Sequence, residues 1–485
     1  MTAMAQTHGK RVFNSLIWAA VRIWGNRLGG LIVFFILARL LTPEDFGVYA
    51  SLWALLLFLE VFAELGLGDA LIQTRETSQT LLNSAFFASA GIAIGLYAAI
   101  WFLAPTFAAM MQHAELAAPL RIAALAMLFN ALGYCQLALC RRHFQYRWLA
   151  VRTLTATVIG GAVGIALAFG GYGYWALVWQ YVLSALTALL MLWIKPNWTP
   201  TLSFSWPCLR PLLPFSIRLT GSRLLENCSV RGFELGVGYF LGARALGVYS
   251  VGTRITAIAM QLLSTVVLDV AHAGLSRIAD DKEKLRLAYL TGLQLASTLA
   301  VPAFVILAAT ADEVCTVVFG PQWAESGPIL RIISLLAALQ AVQYMNGAVL
   351  NAMGLTGQTM RLSLLKAIAA AAALLGFHAY GIEVLAAAFA IGQLLVTPVS
   401  FYLCARAIGC PASAVLKALL PACIASAASY LLVVESGAYL PVHTEALKLL
   451  ILGAAGMTLY LATMFLIAPR QIKGLIATVK QASKG

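Results

Sequence analysis

A chain of 485 residues that is 61% hydrophobic and only 11% charged cannot build an aqueous surface around itself, which excludes a soluble globule. Its mean hydropathy of +0.87 is that of a protein embedded in lipid along its length. The net charge of +13 therefore belongs to a membrane protein, where an anionic leaflet accounts for it and nucleic acid is not called for.

Apolar windows of about 20 residues, the length an α-helix needs to cross the hydrocarbon, recur from end to end. The shorter alternating segments of an outer-membrane barrel do not. The windows predict an all-α polytopic membrane protein with about fourteen transmembrane helices. In order they are 12–40, 44–66, 81–104, 117–139, 149–169, 174–194, 212–241, 247–271, 287–310, 328–352, 361–377, 382–404, 413–433 and 444–467. The first run continues past Arg22, Asn26 and Arg27 without a small-residue cleavage site, so it reads as a retained span and not as a removed signal peptide.

Between the first two spans lies "LARLLTPEDFGVYASLW", 37–53. Thr42 is placed to cap the second helix, Pro43 suits its first position, and Asp45 stands where a capping box wants an acid. Phe46 and Tyr49 then fall at interfacial depth, as aromatic anchors do.

The loops and tails on the side of the N-terminus hold Lys10, Arg11, Arg75, Arg141, Arg142, Arg147, Lys195, Arg210, Arg277, Lys282, Lys284, Arg286, Arg361, Arg406, Arg470, Lys473, Lys480 and Lys484, whereas the opposite loops hold only Arg244. The positive-inside rule then places both termini in the cytoplasm.

"Ala38-Arg39 … Gly47-Val48-Tyr49" returns as "Ala243-Arg244 … Gly247-Val248-Tyr249", offset by 200 residues in its Gly-Val-Tyr part. "Pro119-Leu120-Arg121-Ile122" resembles "Pro328-Ile329-Leu330-Arg331-Ile332", and "Tyr172-Gly173" before the sixth span resembles "Tyr380-Gly381" before the twelfth. Three matches in one order predict a duplication with both copies in the same orientation. The expected organisation is an N-terminal lobe of six spans (1–194), a cytoplasmic linker (195–211), a C-terminal lobe of six (212–404), and two further spans with a tail (405–485).

A charge at the bilayer centre costs about 2.5–3.5 kcal/mol on insertion scales, so each one needs a reason. The seventh span, "FSIRLTGSRLLENCSVRGFELGVGYF", places Arg223, Glu226, Arg231 and Glu234 within an arc of about 140°. Arg223 with Glu226, and Arg231 with Glu234, are i,i+3 pairs that can neutralise each other. The first span carries Arg22, Asn26 and Arg27, the second carries Glu60 and Glu64 at i,i+4, and Arg254 lies in the eighth.

One reading is a set of ion pairs that fix helix packing. The other is a cavity between the lobes, in which an excess of guanidinium forks suits a polyanion. On that reading Arg22, Asn26, Arg27, Arg223, Arg231 and Arg254 bind substrate, and Glu60, Glu64, Glu226 and Glu234 are candidates for ion coupling. Arg121 and Arg331 read as snorkelling residues at span starts. Gly25 with Gly29, Gly91 with Gly95, and Gly160 with Gly164 read as close helix contacts. The cysteines have no CxxC pair and the histidines no ligand spacing, so neither metal nor cofactor is expected.

"ILARLLTPEDFGVYA" at 36–50, "FAELGLGDALIQ" at 62–73 and "LRIAALAMLFNALGYCQLALCRRHFQYR" at 120–147 resemble the polysaccharide transporter branch of the MOP superfamily, the Wzx-type flippases. The resemblance covers nearly the whole chain and implies the MATE-like fold. It implies inner-membrane translocation of an undecaprenyl-diphosphate-linked oligosaccharide by alternating access, for O-antigen, capsule or exopolysaccharide synthesis, without covalent chemistry. It is compatible with a polysaccharide polymerase and a chain-length regulator as partners besides membrane lipids. An ion-coupled multidrug or metabolite exporter of related fold is the first alternative. A membrane glycosyltransferase or ligase, which needs a large extracytoplasmic loop, is the second.

Overall fold

Thr42 begins the second helix as its spacing to Asp45 requires. In the computed structural model Thr42 Oγ1 accepts the Asp45 amide at 3.2 Å and Asp45 Oδ2 accepts the Thr42 amide at 3.0 Å, which closes the capping box around Pro43. The structure describes residues 25, 27–74, 77–278, 281–439, 444–469 and 471.

Among the described residues the regular structure is helical, with no strand. Helix α1 covers 27–40, followed by α2 (Pro43–Glu64), α3 (Leu67–Gln73), α4 (Gln79–Met110), α5 (Ala117–Ala123), α6 (Leu125–Arg142), α7 (Tyr146–Phe169), α8 (Trp175–Ile194) and the short α9 (Trp206–Leu209). Helix α10 (Leu213–Arg277) is followed by α11 (Lys282–Ala309), α12 (Ala311–Val314), α13 (Ser326–Ala352), α14 (Thr356–Phe377), α15 (Ile382–Ile408), α16 (Ala412–Tyr439) and α17 (Glu445–Ile467).

Eleven helical stretches among the described residues are long and apolar enough to cross a membrane, and each coincides with an expected span. The expected spans outside this set are the first, which reaches beyond the described residues, and the two pieces of α10, many of whose side chains also lie outside them. The expected loop between those two pieces is a single residue: Gly242, at φ 84° and ψ 176°, is where α10 breaks, a conformation that glycine adopts without a Cβ penalty.

The chain divides into two compact units, Met1–Gly247 and Val248–Gly485. In the first, Leu52 and Leu56 of α2 pack with Ile100 of α4, Leu120 of α5, Met127 of α6 and Val178 of α8. Helices α7 and α8 approach closely because Gly160 and Gly164 lie against Ser184 and Gln180. Gly25 and Gly29 meet Leu154 and Thr157 of α7. Gly91 and Gly95 behave otherwise: a Cβ at either meets nothing within 4 Å, so that GxxxG spacing marks no helix contact.

The duplicated motif meets its own copy. A Cβ on Gly47 would fall on the carbonyl oxygen of Ala243, and one on Gly247 would fall on that of Pro43. Beside this crossing Arg244 pairs with Glu44 at 3.2 Å, an exposed bridge that contributes little energy but marks the register.

The segment 195–205 is pinned to this unit. Asn83 donates to Thr201 Oγ1 and Ser203 Oγ, both at 2.6 Å, and accepts the Thr201 amide at 3.2 Å; the Ser205 amide donates to Ser84 Oγ at 2.8 Å. Gln136 donates to the Trp198 carbonyl and accepts the Asn197 amide, while the Trp198 ring is buried against Phe86 and Trp193. A linker rich in proline is thereby held in one path.

In the second unit Tyr289, Phe304, Val349, Cys404 and Ala418 form the main core. A polar ladder runs through it, with Tyr289 donating to Asn346 at 2.7 Å and Asn346 to Ser400 at 3.0 Å. Lys366 donates to Gln343 Oε1 at 3.1 Å, and Gln343 in turn donates to Thr397. Arg121 and Arg331 do more than snorkel. Arg121 donates to the Trp101 carbonyl at 3.0 Å with its charge 4.8 Å above that ring, and Arg331 binds Asp312. Lys448 holds the neighbouring Glu313 at 2.9 Å, so the acidic pair of α12 ties α13 to α17.

Asp281 caps α11, accepting the Glu283 and Lys284 amides at 3.2 and 3.1 Å with Lys284 Nζ 2.9 Å away. The Lys284 side chain, then those amides, hold its carboxyl below the ordinary carboxylate value. This cap is complete above the unfolded value and weakens as pH falls through the lowered one.

Candidate functional site

The sequence-predicted residues separate into groups. Arg22 and Asn26 lie outside the described residues, as do the side chains of Arg223 and Glu226 on α10. Arg27 is half-buried on α1, and Arg254 is exposed in the second unit. Arg231 with Glu234, and Glu60 with Glu64, have described surroundings.

Arg231 and Glu234 form the pair that their i,i+3 spacing predicts. A single nitrogen, Nη1, reaches both carboxylate oxygens, at 2.9 and 2.7 Å. That geometry leaves the other edge of the fork idle: among the described residues Nε is buried with no acceptor, and no acceptor meets Nη2. A buried donor without a partner is uncommon enough to need a cause. An edge carrying Nε and Nη2 is the one that grips phosphate oxygens in parallel.

Glu60 is engaged from α6. Asn130 Nδ2 donates to its Oε1 at 2.7 Å and the Tyr134 hydroxyl donates to the same atom at 3.2 Å. Neither partner was anticipated, although Asn130 and Tyr134 stand at i,i+4 in an otherwise apolar helix and so share a face. Helical rotation also places Tyr49, Trp53, Glu60 and Glu64 of α2 within an arc of about 60°. Trp53 is stacked on Tyr49, with ring centroids 6.0 Å apart, and meets Tyr181 of α8 edge to face at 4.7 Å. All of these residues are half-buried.

Arg141 and Arg142, which the charge count expects on the cytoplasmic side, tie two signature stretches together. Arg142 donates to the carbonyls of Leu71 and Thr74 at 3.1 and 2.5 Å, satisfying the end of α3, and Arg141 stands 3.9 Å from Asp69. "GLGDALIQ" and "CRRHFQYR" are thus two sides of one contact.

Residues 36–328 match the family described as polysaccharide biosynthesis protein. The chain belongs to that family. Among similar proteins is the succinoglycan biosynthesis transport protein ExoT of Rhizobium meliloti, 27% identical over 68% of this chain and 66% of its own length, just under two thirds. Among solved structures, lipid II flippase MurJ in an inward closed conformation aligns with a TM-score of 0.75 at 15% identity, covering 94% of this chain and 100% of that one. A multidrug resistance MATE transporter of the MOP superfamily aligns with 0.60 at 19% identity, covering 82% and 99%. At these identities the structures show the fold, which for this polysaccharide biosynthesis family member is the MATE-like, MOP-type helical fold. The protein is a multi-pass membrane protein.

Proposed function

We propose that the protein is an inner-membrane flippase that carries an undecaprenyl-diphosphate-linked oligosaccharide from the cytoplasmic to the periplasmic leaflet by alternating access between two lobes, with both termini in the cytoplasm. The observation that carries this reading is the match to the polysaccharide biosynthesis family over residues 36–328 of a chain built from membrane-spanning helices. The likeness to ExoT, a succinoglycan biosynthesis transport protein, and to MurJ, a lipid II flippase, supports it. So does Arg231, whose Nη2 meets no acceptor among the described residues and is not sealed as Nε is, and whose cation suits a diphosphate. Arg22, Asn26, Arg27, Arg223 and Arg254 complete the proposed cavity. The polyprenyl tail stays in the bilayer while the diphosphate and sugars take the polar path, so no covalent chemistry is involved. A polymerase and a chain-length regulator fit as partners downstream of the released product.

In a strain deleted for the protein, lipid-linked oligosaccharide accumulates on the inner leaflet and surface polysaccharide is lost. Unchanged surface polysaccharide with no accumulated lipid would sink the flippase reading.

Glu60, Glu64, Glu226 and Glu234 are the proposed ion-coupling groups. Glu60→Gln and Glu64→Gln weaken the dependence of export on the proton gradient. If export in both variants keeps the wild-type pH dependence, these carboxylates do not couple. The second reading, an ion-coupled exporter of small molecules, draws on the MATE-like fold and on the acidic and aromatic face of α2.

A further inference from the structure

The face of α2 that bears Glu60 has four polar atoms without partners nearby. Both hydrogen bonds to Glu60 fall on Oε1, so among the described residues no donor meets Oε2. Asn130 donates through Nδ2, while its Oδ1 accepts nothing among the described residues. The Trp53 indole Nε1 and the Tyr181 hydroxyl likewise have no hydrogen-bond partner among the described residues. None of the four atoms is sealed inside the protein. An intramembrane carboxylate, amide, indole and phenol left reachable and unpaired are costly against lipid, so this face meets water or a polar ligand.

The chemistry of the set is selective. Two acceptors, Glu60 Oε2 and Asn130 Oδ1, stand with two donors, Trp53 Nε1 and Tyr181 Oη, and with the flat apolar rings of Tyr49 and Trp53. A metal ion or proton uses the acceptors alone. An organic cation uses the carboxylate and the rings but offers nothing to the donors. A sugar uses all of it, because each hydroxyl both donates and accepts while its C–H faces lie on aromatic rings. From Trp53 to Glu60 the face runs two turns of helix, about 10 Å, and from Tyr49 to Glu64 about 22 Å, long enough to hold more than one residue of a glycan in line.

We propose that the face of α2 carrying Tyr49, Trp53 and Glu60, with Asn130 and Tyr181 beside it, is a glycan track that binds the sugars of the lipid-linked cargo separately from its diphosphate. The proposal rests on the flippase reading and deepens it. Its residues decide which glycans pass, since a site built to bond hydroxyls discriminates against analogues that lack them.

The test uses the purified full-length protein in phosphatidylethanolamine–phosphatidylglycerol nanodiscs and three probes: undecaprenyl diphosphate without sugar, lipid-linked oligosaccharide extracted from cells lacking the protein, and tetraphenylphosphonium. Trp53→Ala weakens binding of the glycan-bearing lipid about tenfold or more, and Tyr181→Phe, which removes one hydroxyl, about fivefold. Both bind bare undecaprenyl diphosphate within about twofold of wild type, and Trp53→Phe, which keeps a ring, recovers part of the loss. Equal losses for both lipids, or no loss for either, overturn the track. So does Trp53-dependent binding of tetraphenylphosphonium with the glycan-bearing lipid unaffected. Wild-type protein that binds neither lipid overturns the flippase reading itself, an outcome distinct from the others.

Discussion

Replacing Gly47 by valine abolishes export and strongly lowers the yield of folded protein, and alanine does the same to a lesser degree. The first atom of any side chain at Gly47 would occupy the space of the Ala243 carbonyl oxygen, and at Gly247 that of the Pro43 carbonyl oxygen. The obstacle in each case is backbone, so no rotamer change relieves it. Overpacking a core that can adjust costs about 1–3 kcal/mol. Here two helices must move apart, and the Arg244–Glu44 bridge and the capped start of α2 must move with them. The matched control is Gly91→Val or Gly95→Val, where a Cβ meets nothing within 4 Å. Yield of monodisperse protein on size-exclusion chromatography and surface polysaccharide in a complemented deletion strain measure the two effects. Wild-type yield and export for both Gly47→Val and Gly247→Val would show that this crossing is not a fixed contact.

The repeated "Gly-Val-Tyr" was legible in the sequence as a duplication, but not that the two copies lie against each other. Periodicity and capping chemistry are local, and they located eleven spans, the box at Thr42 and the i,i+3 pairing of Arg231. What they could not supply is which helix faces which. Gly91-x-x-x-Gly95 and Gly160-x-x-x-Gly164 have identical spacing, yet only the second packs against another helix, because spacing fixes a face and not its neighbour. Asn130 and Tyr134 were passed over for the same reason: their significance depends on Glu60, 70 and 74 positions away. By composition the proline-rich segment reads only as a linker, whereas Asn83 and Gln136, buried polar residues in apolar helices, are what fasten it. Charge was read in part. Arg141 and Arg142 enter the positive-inside count, yet in the structure they hold the end of α3, and nothing in a count of cations reveals that role.

Arg231→Ala lowers export at least about tenfold, and the double variant Arg231→Ala, Glu234→Ala regains folded yield without regaining export. Removing the cation alone leaves Glu234 half-buried without the partner that contacts both of its oxygens, a change that costs about 3–5 kcal/mol when a pair is fully buried and less here, where the side chains retain 27% and 16% exposure. Removing both residues takes away that carboxylate as well. If Arg231 served only to neutralise Glu234, the double variant would also export normally, and that result would assign the pair to packing alone. The geometry argues otherwise. Nη1 reaches both carboxylate oxygens, while Nε is buried with no acceptor among the described residues, and a residue kept for pairing would align its fork with the acid. Arg231→Lys sharpens the distinction, because lysine keeps the charge and can still reach Glu234 but has no second edge to present. Folded yield near wild type with export as low as in the double variant is the expected result, and it places the function of Arg231 in the half of its guanidinium that Glu234 does not touch.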